Sequence, residues 1–121
     1  MFTCYVSGKY SSKKTGKDAE VEVEQNILNA ESYAIELGML GFGVFCPHLN
    51  FDGFDGILSY KDLMIACFKF VELTDTMFMV PGWEDSSGAS REWRNAKALE
   101  RPIFYNIDEA REWLKTGWRA R

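Results

Sequence analysis

"MVPGWEDSSGASREWRNAKAL", from Met79 to Leu99, passes from an apolar, strand-like end through Pro-Gly-Trp and an acidic, serine-rich turn into a helix. A strand that is apolar throughout and is followed by a helix is the repeating unit of a parallel sheet covered on both faces. The same unit can be followed outward in both directions. Phe2–Ser7 ("FTCYVS") reads as a buried first strand ending at Gly8. A helix is expected from a cap at Asp18 to a stop at Gly38, with Val23, Ile27, Ala30, Ala34 and Leu37 at three- and four-residue steps. Phe42–Pro47 is a second strand, and "HLNFDGFDG" after it has turn character. Tyr60 to Leu73 is a second helix, with Leu63, Ala66, Cys67 and Phe70 on one face. Thr76–Val80 is the third strand and Gly88 to Leu99 the third helix. Pro102–Asn106 is the fourth strand, and "IDEAREWLKTG" is a short last helix.

The order β-α-β-α-β-α-β-α predicts right-handed crossovers in an α/β fold. Ligands bind such sheets beyond the carboxyl ends of the strands. That rule selects the loops after Ser7, Cys46, Val80 and Tyr105. The 121 residues suffice for one domain with one core, and no boundary or repeat is visible within 1–121. A hydrophobic content of 46% with 26% charged residues fits an ordered globular chain. No apolar run approaches the ~18 residues of a membrane span. With no basic-then-apolar leader at the start, a cytoplasmic protein without membrane attachment is expected.

A net charge of −4 argues against a general nucleic-acid binder. Lys9, Lys13, Lys14 and Lys17 nevertheless share one loop, "GKYSSKKTGK", which either meets an anion or is a solvated surface loop. The three cysteines, Cys4, Cys46 and Cys67, lie apart in apolar runs, and there is a single histidine. That pattern suits buried reduced thiols and offers neither a disulfide framework nor a zinc site.

Ser86 and Ser87 lead into Gly88 at a helix start, where free N–H groups and the helix dipole favour an anion. A plain serine N-cap is the ordinary alternative. Glu92 is more informative. It lies five residues after Ser87 and six after Ser86, so it is no capping-box glutamate. On a helix it shares a side with Gly88, Ala89, Trp93, Ala96 and Leu99. A carboxylate beside apolar surface resists ionisation while a helix start favours it, a balance that suits a nucleophile or an acid/base group. The structural alternative is a salt bridge to Arg91 or Arg94. Asp62 either complements its helix dipole or serves the site, Asp75 reads as a turn residue, and His48 and Asn50 follow the second strand, where they line the same cleft or act structurally.

Taken together, "YVSGKY", "CPHLNF", "KDL" and "D-x-M-x-x-V-P-G-W-E-x-S-x-G-A-x-x-E-x-x-x-A" resemble the nucleoside 2-deoxyribosyltransferase-like superfamily, in particular small members with a "PGWExSxGAxxE" signature, from about Phe2 to Tyr105. The resemblance implies a flavodoxin-like three-layer sandwich with a parallel sheet of four to five strands. It implies cleavage or transfer of the N-glycosidic bond of a nucleotide or (deoxy)nucleoside through a glycosyl-glutamate intermediate. Glu92, four residues after Gly88, matches the nucleophile. Asp62 matches the aspartate that assists the leaving base, and Tyr5 the tyrosine near the nucleophile. Ser86 stands where transferases of free nucleosides carry an aspartate and where nucleoside 5′-monophosphate N-glycosidases carry a phosphate-holding serine. The resemblance therefore favours a phosphorylated ligand. Ser7, Gly8 and Lys9 of the first loop, with Ser86, Ser87 and Gly88, are the implied phosphate contacts, and His48, Asn50 and Trp83 complete the implied substrate site. The implied chemistry needs no metal or cofactor. Relatives are usually homodimers or larger, and Met64, Phe68 and Phe70 are the expected interface. The competing reading is a non-catalytic module that sequesters or senses a nucleotide, with Trp83 and Trp93 blocking the pocket.

Overall fold

The computed structural model describes residues 1–54 and 56–117. Four strands form one parallel sheet in the order β2-β1-β3-β4. They are β1 (Thr3–Ser7), β2 (Gly43–Phe45), β3 (Thr76–Met79) and β4 (Ile103–Phe104). β1 is central, with Tyr5 beside Phe45 of β2 and Met77 of β3. The chain reverses direction across the sheet between β1 and β3, which opens a crevice at their carboxyl ends. Helices α1 (Gly16–Leu40) and α5 (Ile107–Gly117) cover one face, while α3 (Tyr60–Leu73) and α4 (Ser87–Ala98) cover the other. A short helix α2 (Pro47–Asn50) follows β2. No helix among the described residues is long and apolar enough to cross a membrane.

Strand alternation separates two interiors. Cys4 and Val6 join Phe2, Phe42, Phe78 and Phe104 under α1 and α5, where Trp113 meets Phe2 edge-on at 4.7 Å. Tyr5 joins Met77, Met79, Ala89 and Ala96 under α3 and α4. Asp75 is the turn residue expected: its carboxylate accepts from the Thr3 N–H at 2.8 Å and so ties the starts of β1 and β3 together.

Several boundaries differ from the expectation for local reasons. α1 runs through Gly38 because Leu37 is buried and Leu40 packs on the core beyond it. It ends at Gly41, whose φ of 109° is the left-handed cap conformation that glycine adopts without a Cβ penalty. The cap at its start is Thr15, with Asp18 inside the first turn. Pro47, expected to close the second strand, and "HLN", expected in a loop, instead form α2, because Pro47 sits at a helix N-terminus, where its missing N–H costs nothing.

Candidate functional site

The chain leaves β3 through Val80 and Pro81 and turns at Gly82 (φ 92°) into a 3₁₀ turn, Trp83–Asp85. Ser86 then caps α4, its Oγ accepting from the Ala89 N–H at 3.1 Å. The inward stripe of α4 is Ala89, Glu92 and Ala96. Two alanines leave space, and the carboxylate of Glu92 enters the interior under the carboxyl end of β1, only 5% exposed.

Among the described residues its hydrogen-bond partners are hydroxyls, not cations. Tyr5 donates from its phenol oxygen to Oε2 at 2.6 Å, and Ser7 donates from Oγ to Oε1 at 2.7 Å. Both donors come from β1, two residues apart, so strand alternation delivers them to one carboxylate. Arg91 and Arg94 are respectively the preceding residue and two residues on, and both lie exposed. Burial pushes the Glu92 carboxyl above its ordinary range, opposed by hydrogen bonds from Tyr5, Ser7 and Cys67. Burial, then the Glu92 charge, holds the Tyr5 phenol well above its ordinary value and pushes the Cys67 thiol up to about 11.

Glu92 opens onto a cavity of about 350 Å³. Gly8, Lys9, Ser11, Ser12 and Lys13 line it after β1, Pro47 and His48 after β2, and Asp85–Ala89 after β3. Phe51, Leu58, Leu63 and Met64 make an apolar wall. The lining thus combines lysines, hydroxyls and a helix N-terminus with the carboxylate of Asp85 and an apolar surface, and the Gly88 turn of α4 lies against Tyr60 and Met64.

Of the residues expected at the site, Glu92, Gly8, Lys9, Ser86, Ser87, Gly88 and His48 line this cavity. Tyr5 and Ser7 do not; they lie beneath Glu92, and their hydroxyls hold its carboxylate. Gly88 has a packing reason of its own, since a Cβ there would lie 3.2 Å from the Tyr60 hydroxyl. Gly8 is stricter, for a Cβ would lie 2.8 Å from Cβ of Val80, where β1 and β3 diverge. Lys9 is ion-paired to Glu22 of α1 at 2.8 Å, with Lys14 at 3.3 Å from the same carboxylate, and that pairing raises the Lys9 pKa. His48 is buried; its Nε2–H donates to the Lys9 carbonyl at 2.9 Å and its Nδ1 has no partner. Burial lowers the His48 pKa, which keeps the ring neutral.

Three further expected site residues are not brought to the cavity. Asp62 is exposed in the first turn of α3, where its own N–H donates to the Ser59 cap. The residues of α3 that reach the cavity are Tyr60, Leu63, Met64 and Cys67, and at about 100° per residue Asp62 falls off that stripe. Asn50 is exposed on α2. Trp83 stacks on Trp93 at 5.4 Å and leans on Tyr105, so the two tryptophans form an outer aromatic group and do not fill the cavity. The loop after β4 therefore contributes to that group and not to the cavity. Of the expected interface residues, Phe70 stacks on Phe45 at 4.2 Å and Met64 lines the cavity. The sequence reading missed Tyr60, Met64 and Cys67 as cavity residues. Their i, i+4, i+7 spacing was visible, but it is also the spacing of ordinary core. Among the described residues no three His, Cys, Asp or Glu side chains come together as a metal cradle.

The chain matches the family described as a domain of unknown function (DUF4406) over residues 2–105 and belongs to it. No curated protein matches the chain.

Proposed function

We propose that this member of the DUF4406 family cleaves or transfers the N-glycosidic bond of a small nucleotide, with Glu92 as the nucleophile. The observation that carries the reading is a buried carboxylate held by two hydroxyl donors, with no cationic partner among the described residues, at the wall of a cavity that a helix N-terminus and lysines also line. A salt-bridged glutamate would be structural. A carboxylate kept partly desolvated, ionisable and facing space is poised to react. The arrangement fits a flavodoxin-like sandwich with its ligand crevice beyond β1 and β3.

In this reading an ionised Glu92 oxygen attacks the anomeric carbon. The new C–O bond forms as the C–N bond breaks, and its electron pair leaves on the base nitrogen, which collects a proton. Water, or a second base, then attacks the same carbon and returns the Glu92 carboxylate. Tyr5 and Ser7 hold both oxygens in place and oppose protonation of the carboxylate. The helix start at Ser86–Gly88, with Lys9 and Lys13, suits a 5′-phosphate, and the wall of Phe51, Leu58 and Met64 suits the base.

The test is release of free base from a panel of nucleoside 5′-monophosphates and free nucleosides, wild type beside Glu92→Ala. Base release by the wild type that the variant loses is expected, with the phosphorylated compounds preferred. Tight nucleotide binding by both proteins with no release by either would overturn catalysis in favour of a sequestering module.

A further inference from the structure

α1 carries two apolar stripes, and the core uses one of them. Ala30, Ala34 and Leu37 are buried against the sheet. Val21, Leu28, Ile35 and Met39 are 58%, 50%, 56% and 83% exposed. Single exposed apolar residues are ordinary on a protein surface, but these are ordered, at steps of seven, seven and four residues. At about 100° per residue they fall within about 40° of one another, on the side of α1 opposite the core stripe. The outer face of α3 shows the ordinary case, with Ile65 and Leu73 exposed among Lys61, Asp62, Lys69 and Glu72. The seam on α1 spans about 27 Å, and a seven-residue apolar repeat is what a second helix packs against.

The charges beside the seam select what covers it. α1 holds six carboxylates and one lysine, Lys17. Glu22 is ion-paired to Lys9 and Lys14. Asp18, Glu20, Glu24 and Glu36 are exposed and Glu31 is half-buried, and none of these five has an ion-pair partner among the described residues. By helical spacing Glu20, Glu24 and Glu31 flank the seam on one side, and Asp18 and Glu36 on the other. Beside its N-terminal half a groove of about 700 Å³ repeats the combination, lined by Val23, Ile27 and Leu28 together with Glu20, Glu24 and Asp52. A second copy of this chain would set acidic flank against acidic flank in either helix orientation, and an anionic membrane surface or a nucleic acid would be repelled.

We propose that the outer seam of α1 is a docking surface for an amphipathic helix of a partner protein, one whose apolar stripe is flanked by lysines or arginines. Val21, Leu28, Ile35 and Met39 bury its apolar stripe, and the five unpaired carboxylates of α1 choose it by charge. None of this depends on the chemistry at Glu92.

The probes are synthetic helical peptides with leucines at seven-residue steps, one flanked by lysines and one by glutamates. Fluorescence anisotropy should show the lysine peptide binding at least about tenfold more tightly than the glutamate peptide, and the difference should shrink as salt rises. Equal binding of the two, or binding of neither, would overturn the proposal. A lysine peptide of the same composition with its leucines scrambled off the seam should bind at least about tenfold more weakly to the unaltered chain. Leu28→Ser with Ile35→Ser should cost a similar factor for the ordered lysine peptide, and the thermal melt should stay that of the wild type because both side chains are exposed. Binding indifferent to the scrambling or to the double substitution would be charge attraction alone and would remove the seam from it. Sedimentation of the chain by itself should show no dimer that the double substitution disperses; such a dimer would give the seam to a second copy. Flotation with phosphatidylcholine vesicles, abolished by the same substitution, would give it to a lipid surface, and either result would overturn the partner helix.

Discussion

Toward α1 and α5, strand β1 sends Cys4 and Val6 into an interior of phenylalanines; toward α3 and α4 it sends Tyr5 and Ser7, whose hydroxyls close on a buried carboxylate. The strand is the same and the covering differs. α1 presses Ala30, Ala34 and Leu37 onto the sheet. α4 presses Ala89 and Ala96 with Glu92 between them. The first face is closed by apolar area and aromatic contact, which favour folding and do nothing else. The second gives up apolar area to a charge that resists burial, and it opens to the cavity beside that charge. The apolar half of the molecule and the half that holds the buried carboxylate are thus the two sides of one sheet.

Substitutions that strike one side and spare the other sharpen this contrast. Glu92→Ala should reduce base release by a factor on the order of 10³ or more while leaving a folded protein, judged by turnover beside a thermal melt. Phe78→Ala, on the other face, should destabilise by about 3–5 kcal/mol in urea unfolding and should not alter the chemistry of the protein that stays folded. Phe78 is fully buried and packs on Tyr33 at 5.2 Å, so its loss leaves a void. A Glu92→Ala protein as unstable as Phe78→Ala would break the contrast, since the carboxylate would then be part of the scaffold.

Tyr5→Phe keeps the ring against Phe45 and removes only the donor to Oε2. A hydrogen bond to a charged group contributes ~1.5–3 kcal/mol, so about a ten- to hundredfold loss of kcat is expected. The acid limb of kcat/KM should also move to higher pH, because one of the bonds that oppose protonation of Glu92 is gone.

Stability carries the opposite sign. The folded pKa of Glu92 lies above its unfolded value, so its contribution is full below the ordinary carboxylate range and is lost as pH rises through the raised value. Melting of the wild type relative to Glu92→Gln should therefore fall across that window, and a flat difference would contradict a desolvated carboxylate.

Asp62→Ala should have the smallest effect. It removes an exposed first-turn acid from α3, for a loss of about 0.3–1 kcal/mol and base release within about twofold of wild type. A large loss of turnover would return Asp62 to the chemistry.

Much of this contrast was legible in the chain itself. Continuous apolar runs and helical spacing place the strands and helices, and the parallel order follows from their alternation, because such patterns depend on neighbours a few residues away. Glu92 could be singled out because it sits on an apolar helix stripe at a spacing no cap explains. Short segments were less legible: α2 and the 3₁₀ turn hold too few residues for a periodicity, and the helix through Gly38 was decided by burial of Leu37 and packing of Leu40 beyond it.

The sequence by itself determined that this chain is a parallel α/β unit with a carboxylate turned inward near the carboxyl ends of its strands. Only the tertiary structure decided what faces that carboxylate. Ser7 and Tyr5 meet Glu92 across more than eighty residues of chain, and the rotation of α3 about its own axis turns Cys67 toward the cavity and Asp62 toward solvent. Spacing along a helix specifies which residues share a side. Which side faces the sheet is set by the whole apolar surface of the helix against its neighbours, a quantity no single motif contains.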